Sequence, residues 1–152
     1  MGSDLSKAPA GKIPGFMISA MKDPVGANLD RIQVVKGWLD KEGAPQEKVF
    51  DVSLADGRTV GVDGKVKPVG NTVDLKTGNY TNSIGDAQLT TVWTDPEFDA
   101  SVSAFYYVRV LQIPTPRHTL LDTIALGIDP SESGNPATIQ ERAYSSPIWY
   151  TP

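Results

Sequence analysis

Hydrophobic and polar positions alternate along much of this chain with a period of two, the period of a strand buried on one side. Lys48–Leu54 shows it most plainly, with Val49, Asp51 and Ser53 on one side and Phe50, Val52 and Leu54 on the other. Leu29–Leu39 precedes it across the turn-forming run Lys41-Glu-Gly-Ala-Pro45, and Ile32, Val34 and Val35 favour a strand there, so the two segments predict one long hairpin. Phe16–Lys22 is a short apolar run closed by Asp23-Pro24, and Ala87–Trp93 alternates until Asp95-Pro96 stops it. Ser103–Ile113 is apolar almost throughout, which predicts a central strand covered on both faces, halted by Pro114 and Pro116. Val73–Tyr80 is expected to be an edge strand, and Ala55–Asn71, with its Asp-Gly pairs, a set of turns with a small exposed ribbon. Tyr144–Tyr150 reads as a last strand interrupted at Pro147, next to Phe105–Ile113 in one sheet, and Thr119–Ile128 as a short helix.

These elements predict an all-β fold, an antiparallel β-sandwich of immunoglobulin-like kind with at most one short helix. Residues 1–14, rich in Gly, Ala, Ser and Pro, read as a leading segment or linker, and residues 15–152 as a single sandwich domain. The 14 Gly and 12 Pro suit many turns between short strands.

Charge narrows the partners. Net charge is −4 with no basic block, which argues against nucleic acid, and no apolar run reaches membrane-spanning length, which argues against membrane insertion. With no cysteine there is no thiolate nucleophile and no Cys-ligated metal.

Candidate chemistry is sparse. His118 is the only histidine, so no His-rich metal site can be assembled; a Ser/His/Asp triad would need partners that the sequence does not place, and no cofactor is expected in this chain. The aspartates fall in turns, where Asp-Gly has a conformational reason of its own. Trp38, Trp93, Trp149, Tyr106, Tyr107 and Tyr150 would form a sugar platform if exposed, but each lies on a predicted strand, where core packing is the first expectation. The loop Pro114-Thr-Pro-Arg-His118 is the most suggestive: two prolines brace Arg117 and His118 beyond the central strand, and arginine recognises carboxylate or phosphate bidentately. Arg117 and His118 are therefore the candidate ligand or interdomain contacts.

Several strings occur together: Ala8-Pro-Ala-Gly-Lys12, Leu29-Asp-Arg-Ile-Gln-Val-Val-Lys-Gly-Trp-Leu39, Val92-Trp-Thr-Asp-Pro96, Phe105-Tyr-Tyr-Val-Arg-Val110, Pro114-Thr-Pro-Arg117 and Thr138–Tyr150. In combination they resemble the C-terminal region of a bacterial family known as domain of unknown function 3604. Its longer members resemble polymerase-and-histidinol-phosphatase (PHP) metallohydrolases, whose metal-binding motifs lie in an N-terminal portion and have no counterpart here. The resemblance implies a non-catalytic C-terminal accessory domain that packs on its own N-terminal catalytic domain, with a divalent metal only in that other portion. The alternatives are a free-standing structural module that associates with copies of itself, or a carbohydrate-binding sandwich. The compartment stays open, with the bacterial periplasm or cell envelope as candidates.

Overall fold

A computed structural model of the chain describes residues 2–9 and 11–152; Met1 and Ala10, both in the stretch read as a linker, lie outside the described residues. The strands are β1 (Ser3–Ser6), β2 (Gly15–Met21), β3 (Leu29–Leu39), β4 (Pro45–Leu54), β5 (Gln88–Thr94), β6 (Ala104–Gln112), β7 (Thr115–Pro116), β8 (Thr138–Ile139), β9 (Arg142–Tyr144) and β10 (Ile148–Thr151). One helix, α1 (His118–Leu126), follows β7, and a short 3-10 turn spans Pro130–Ser133.

A six-stranded sheet runs β1-β10-β6-β3-β4, with β9 also on β6, and a two-stranded ribbon pairs β2 with β5. The fold is thus an all-β sandwich with one short helix, and its second layer is the ribbon. Every named pairing is antiparallel except β1 with β10, which is parallel from Ser3↔Ile148 to Ser6↔Thr151. The predicted hairpin is β3–β4, and the two strongest β signals near the end, β6 and β10, are neighbours.

Alternation decides which side chains meet the ribbon. Ile32 and Val34 of β3, Tyr106 of β6 and Tyr150 of β10 join Ile18 and Leu89 of the ribbon in the core. The Phe16 ring lies 5.0 Å from that of Tyr106, and Trp93 lies 5.0 Å from Phe50. Each such side chain contributes about 1.5–3 kcal/mol by leaving water.

Pro147 splits the last predicted strand. It has no N–H to give the ladder, so β9 and β10 pair with β6 as separate pieces. Between them the Ser145 hydroxyl accepts the Val108 N–H at 2.9 Å, and the Ser145 N–H donates to the Val108 carbonyl at 2.9 Å.

Four readings differ from what is observed. Val73–Tyr80 is not a strand, because Asp74 organises it locally: its carboxylate accepts the Lys76 N–H at 2.8 Å and the Thr77 hydroxyl at 3.0 Å. The leading segment contributes β1, whose four residues are all exposed and left no hydrophobic alternation to read. The long apolar run of β6 is central, but its outer side is covered chiefly by its own aromatic rings. The small ribbon expected in Ala55–Asn71 reduces to a single bridge, Val60↔Val66.

The acidic turns behave alike. The Ala44 N–H holds the Asp40 carboxyl below the ordinary range, the Lys76 N–H does so for Asp74, and the hydroxyls of Ser101 and Ser131 do so for Asp99 and Asp129. A lowered folded-state value means that this stabilisation is complete above the unfolded carboxylate value of 3.8 and is lost as pH falls through the folded values. The thermal midpoint is therefore expected to fall as pH is lowered from about 5 to about 2. A midpoint that stays flat across that window would show that the turns contribute nothing.

Candidate functional site

The outer face of the six-stranded sheet is built by the residues of opposite parity. Phe105 and Tyr107 on β6 stand beside Trp149 on β10, and Tyr144 on β9 lies opposite Arg109. Phe105 and Tyr107 stack at 6.4 Å with planes 9° apart, Trp149 tilts against Phe105 at 5.2 Å, and Tyr144 tilts against Tyr107 at 6.2 Å. Gly37, opposite Phe105, makes this possible, since a Cβ built there would lie 2.3 Å from the ring. Phe105 thus lies flat on bare backbone and shields β3. Trp149 is nevertheless 51% exposed and Tyr144 57% exposed. Beside them Gly37, Leu39, Glu47, Phe105, Trp149 and Thr151 line an open groove of about 510 Å³. Trp149 is therefore not the core tryptophan expected of a strand position, whereas Trp38 and Trp93 pack against the core.

A second cluster lies on the inner face. Lys36 alternates in register with Val34 and Trp38, so its side chain enters the interior. Its ammonium donates to Asp95 Oδ2 at 2.5 Å and to the Glu97 carbonyl at 2.8 Å, and sits 5.2 Å from the Trp38 ring centre. The Tyr106 hydroxyl donates to the same Asp95 oxygen at 2.8 Å, and the Glu97 N–H donates to Asp95 Oδ1 at 2.8 Å. Burial, and then the hydrogen bond to Asp95 and its charge, push the Tyr106 phenol far above the ordinary tyrosine range. The phenol therefore keeps its proton at neutral pH. Side-chain exposures of 7% for Lys36 and 1% for Asp95 make the pair a buried one, at the floor of a cleft of about 260 Å³ that Lys36, Trp38, Glu97 and Tyr106 line. This is a buried ion pair that ties the segment after β5 to the sheet.

A third polar cluster centres on Asp30, at the irregularity where β3 meets β6. Its carboxylate accepts from Arg58 at 2.5 Å, Arg31 at 3.0 Å and Gln140 at 2.9 Å, which joins three separate segments of the chain.

Arg117 caps α1 through its backbone: its N–H donates to the Ala137 carbonyl at 2.9 Å, and its carbonyl accepts the Leu120 N–H at 3.0 Å. The Arg117 side chain is half-buried and His118 is exposed at the first helical position. The two share a helix start, and neither makes an ion pair among the described residues. Sequence reasoning missed Lys36 and Asp95, and it expected Trp149 in the core.

His118, the one histidine of the sequence, is exposed at a helix start, and among the described residues no three His, Cys, Asp or Glu side chains gather into a group that could hold a metal ion. Among the described residues no helix is long and apolar enough to cross a membrane. Comparison with the curated proteins and with the solved structures gives no match. A family model described as a protein of unknown function, DUF3604, matches residues 1–152. Taken with the strings quoted above, this full-length match means that the chain belongs to the DUF3604 family.

Proposed function

We propose that this chain is a non-catalytic accessory β-sandwich of a larger, PHP-like metal-dependent hydrolase, and that it packs on the catalytic domain through the outer face of its six-stranded sheet. One observation carries the reading: the central strand presents Phe105 and Tyr107, flanked by exposed Trp149 and Tyr144, on a sheet face with no ribbon over it. Aromatic side chains concentrated at the middle of a flat face are the usual anchors of protein interfaces. Five adjacent strands spaced about 4.8 Å present roughly 20 by 30 Å, about three quarters of the ~800 Å² that each partner gives to a standard interface. The buried clusters at Lys36 and Asp30 tie separate segments of the chain together.

The groove beside Trp149 supports a second reading as a sugar platform, because the exposed indole and the Glu47 carboxylate line the same groove from its two sides. Self-association through a strand edge has less support. Edge strand β4 begins at Pro45 and carries Glu47, Lys48 and Asp51, which is how edges are kept from pairing.

Hydroxyl-radical footprinting reads side-chain exposure directly. Trp149 and Tyr144 are expected to be labelled several-fold less in a longer family member, carrying both portions, than in this chain by itself. Equal labelling in both would defeat the docking reading, and protection of this chain by oligosaccharides would favour the sugar platform.

A further inference from the structure

We infer that the partner surface covering the outer face presents an aspartate or glutamate carboxylate to Arg109; this rests on the docking reading above. Arg109 lies on central strand β6, between Gln33 on β3 and Tyr144 on β9, two residues beyond Tyr107. Its Nε donates to Gln33 Oε1 at 2.8 Å, and Gln33 Nε2 donates in turn to Asp51 Oδ1 at 2.8 Å. Gln33 is buried, so the amide relay fixes the plane of the guanidinium. The two terminal nitrogens of Arg109 have no acceptor among the described residues.

The other half-buried or buried cations of the sheet and its neighbouring loop show what is missing. Arg31 pairs with Asp30 and Asp51, Arg58 with Asp30, and Lys36 with Asp95. Arg109 is half-buried and makes no ion pair among the described residues. Asp51 does not compensate it, since Arg31 and Gln33 already engage its Oδ1. Nearby Arg142 on β9 is exposed and also lacks an ion pair among the described residues, which makes this end of the face basic. A partner that covers Phe105, Tyr107 and Tyr144 must also strip water from Arg109. A desolvated cation without an anion is strongly unfavourable, whereas a carboxylate meeting the free edge of the guanidinium in a bidentate pair offsets that cost. With Tyr144 on one side of Arg109 and Tyr107 two residues before it, the carboxylate is expected to be flanked by apolar partner surface toward those rings.

The experiment uses the longer family member, with footprinting at Tyr144 and Trp149 for the wild type, Arg109→Glu, Arg109→Gln and Arg109→Lys, at low and high salt. Protection is expected to be lost in Arg109→Glu, so that labelling rises to the level of this chain by itself. Arg109→Gln should weaken protection and remove its salt dependence, and Arg109→Lys should keep part of it, because a lysine has the charge without the fork. Should Arg109→Glu unfold, as circular dichroism would reveal, Arg109→Gln carries the test. If the wild type is protected and both Glu and Gln variants are protected equally well, the carboxylate inference is wrong and the docking reading stands. If the wild type is unprotected, both fall. If inorganic phosphate alone protects Tyr144 in this chain, the arginine serves a free anion and the inference is overturned.

Discussion

Asp95→Ala is expected to lower the stability of this domain by about 3–5 kcal/mol, the usual cost of removing one partner of a buried ion pair. The carboxylate holds the Lys36 ammonium and the Tyr106 hydroxyl on one oxygen and the Glu97 N–H on the other. Without it a cation with 7% exposure keeps only the Glu97 carbonyl and the neighbouring rings, and the phenol loses its acceptor. Urea unfolding of wild type and variant measures the difference. Replacing both charges with apolar groups, Lys36→Met with Asp95→Leu, should cost far less than Asp95→Ala, because no buried charge is then stranded. If the single and double variants are equally destabilised, packing volume rather than charge explains the site.

Gly85→Ala is the second large effect, expected at about 2–5 kcal/mol from a left-handed backbone penalty of about 1–2 and an overpacking cost of about 1–3. Gly85 has φ +73°, and a Cβ there would lie 2.6 Å from Ile113 Cγ2 and 2.7 Å from the Leu29 carbonyl oxygen. Its N–H donates to Asp56 at 2.9 Å and its carbonyl accepts from buried Asn28 at 3.0 Å, so the residue fastens the end of the long loop between β4 and β5 to the sheet. Gly64→Ala supplies the control, because Gly64 has φ +74° with open space around it and isolates the backbone part. Faster proteolysis within that loop in Gly85→Ala should accompany the loss of stability. Equal effects of the two substitutions would show that the contacts around Gly85 do not matter.

Much of the fold was legible because period-two alternation survives in β3, β4 and β5 and because Asp-Pro and Pro-x-Pro mark the strand ends. The helix was legible instead from its apolar Leu120, Leu121, Ile124 and Leu126, of which Leu120 lies on the buried side. β1 was not, since all four of its residues are exposed and only pairing with β10 makes it a strand. The ion pair was half legible: Lys36 falls on the same parity as Ile32, Val34 and Trp38, and a charge on an apolar face signals a hidden partner. Its partner lies 59 residues away in a turn, and sequence spacing does not connect the two. The outer aromatic face failed for another reason. An apolar run such as Phe105–Val110 states that both sides of a strand prefer to leave water, but not whether the cover belongs to the same chain. Arg117 drew attention because prolines brace it, yet its backbone spends that position on starting α1. Arg109, buried in the middle of a strand motif, drew none.

The parallel pairing of β1 with β10 has a mechanical consequence. The two strands run side by side in one direction, so the end of β1 nearest the start of the chain and the end of β10 nearest its finish lie at opposite ends of the pair. Tension transmitted along the polypeptide therefore loads their backbone hydrogen bonds in shear, all together, and cannot peel them apart one at a time. The bond from the Lys7 N–H to the Thr151 carbonyl, at 3.1 Å, extends the same clamp by one more rung. A module held in line between other domains would resist pulling along this axis far better than pulling across it.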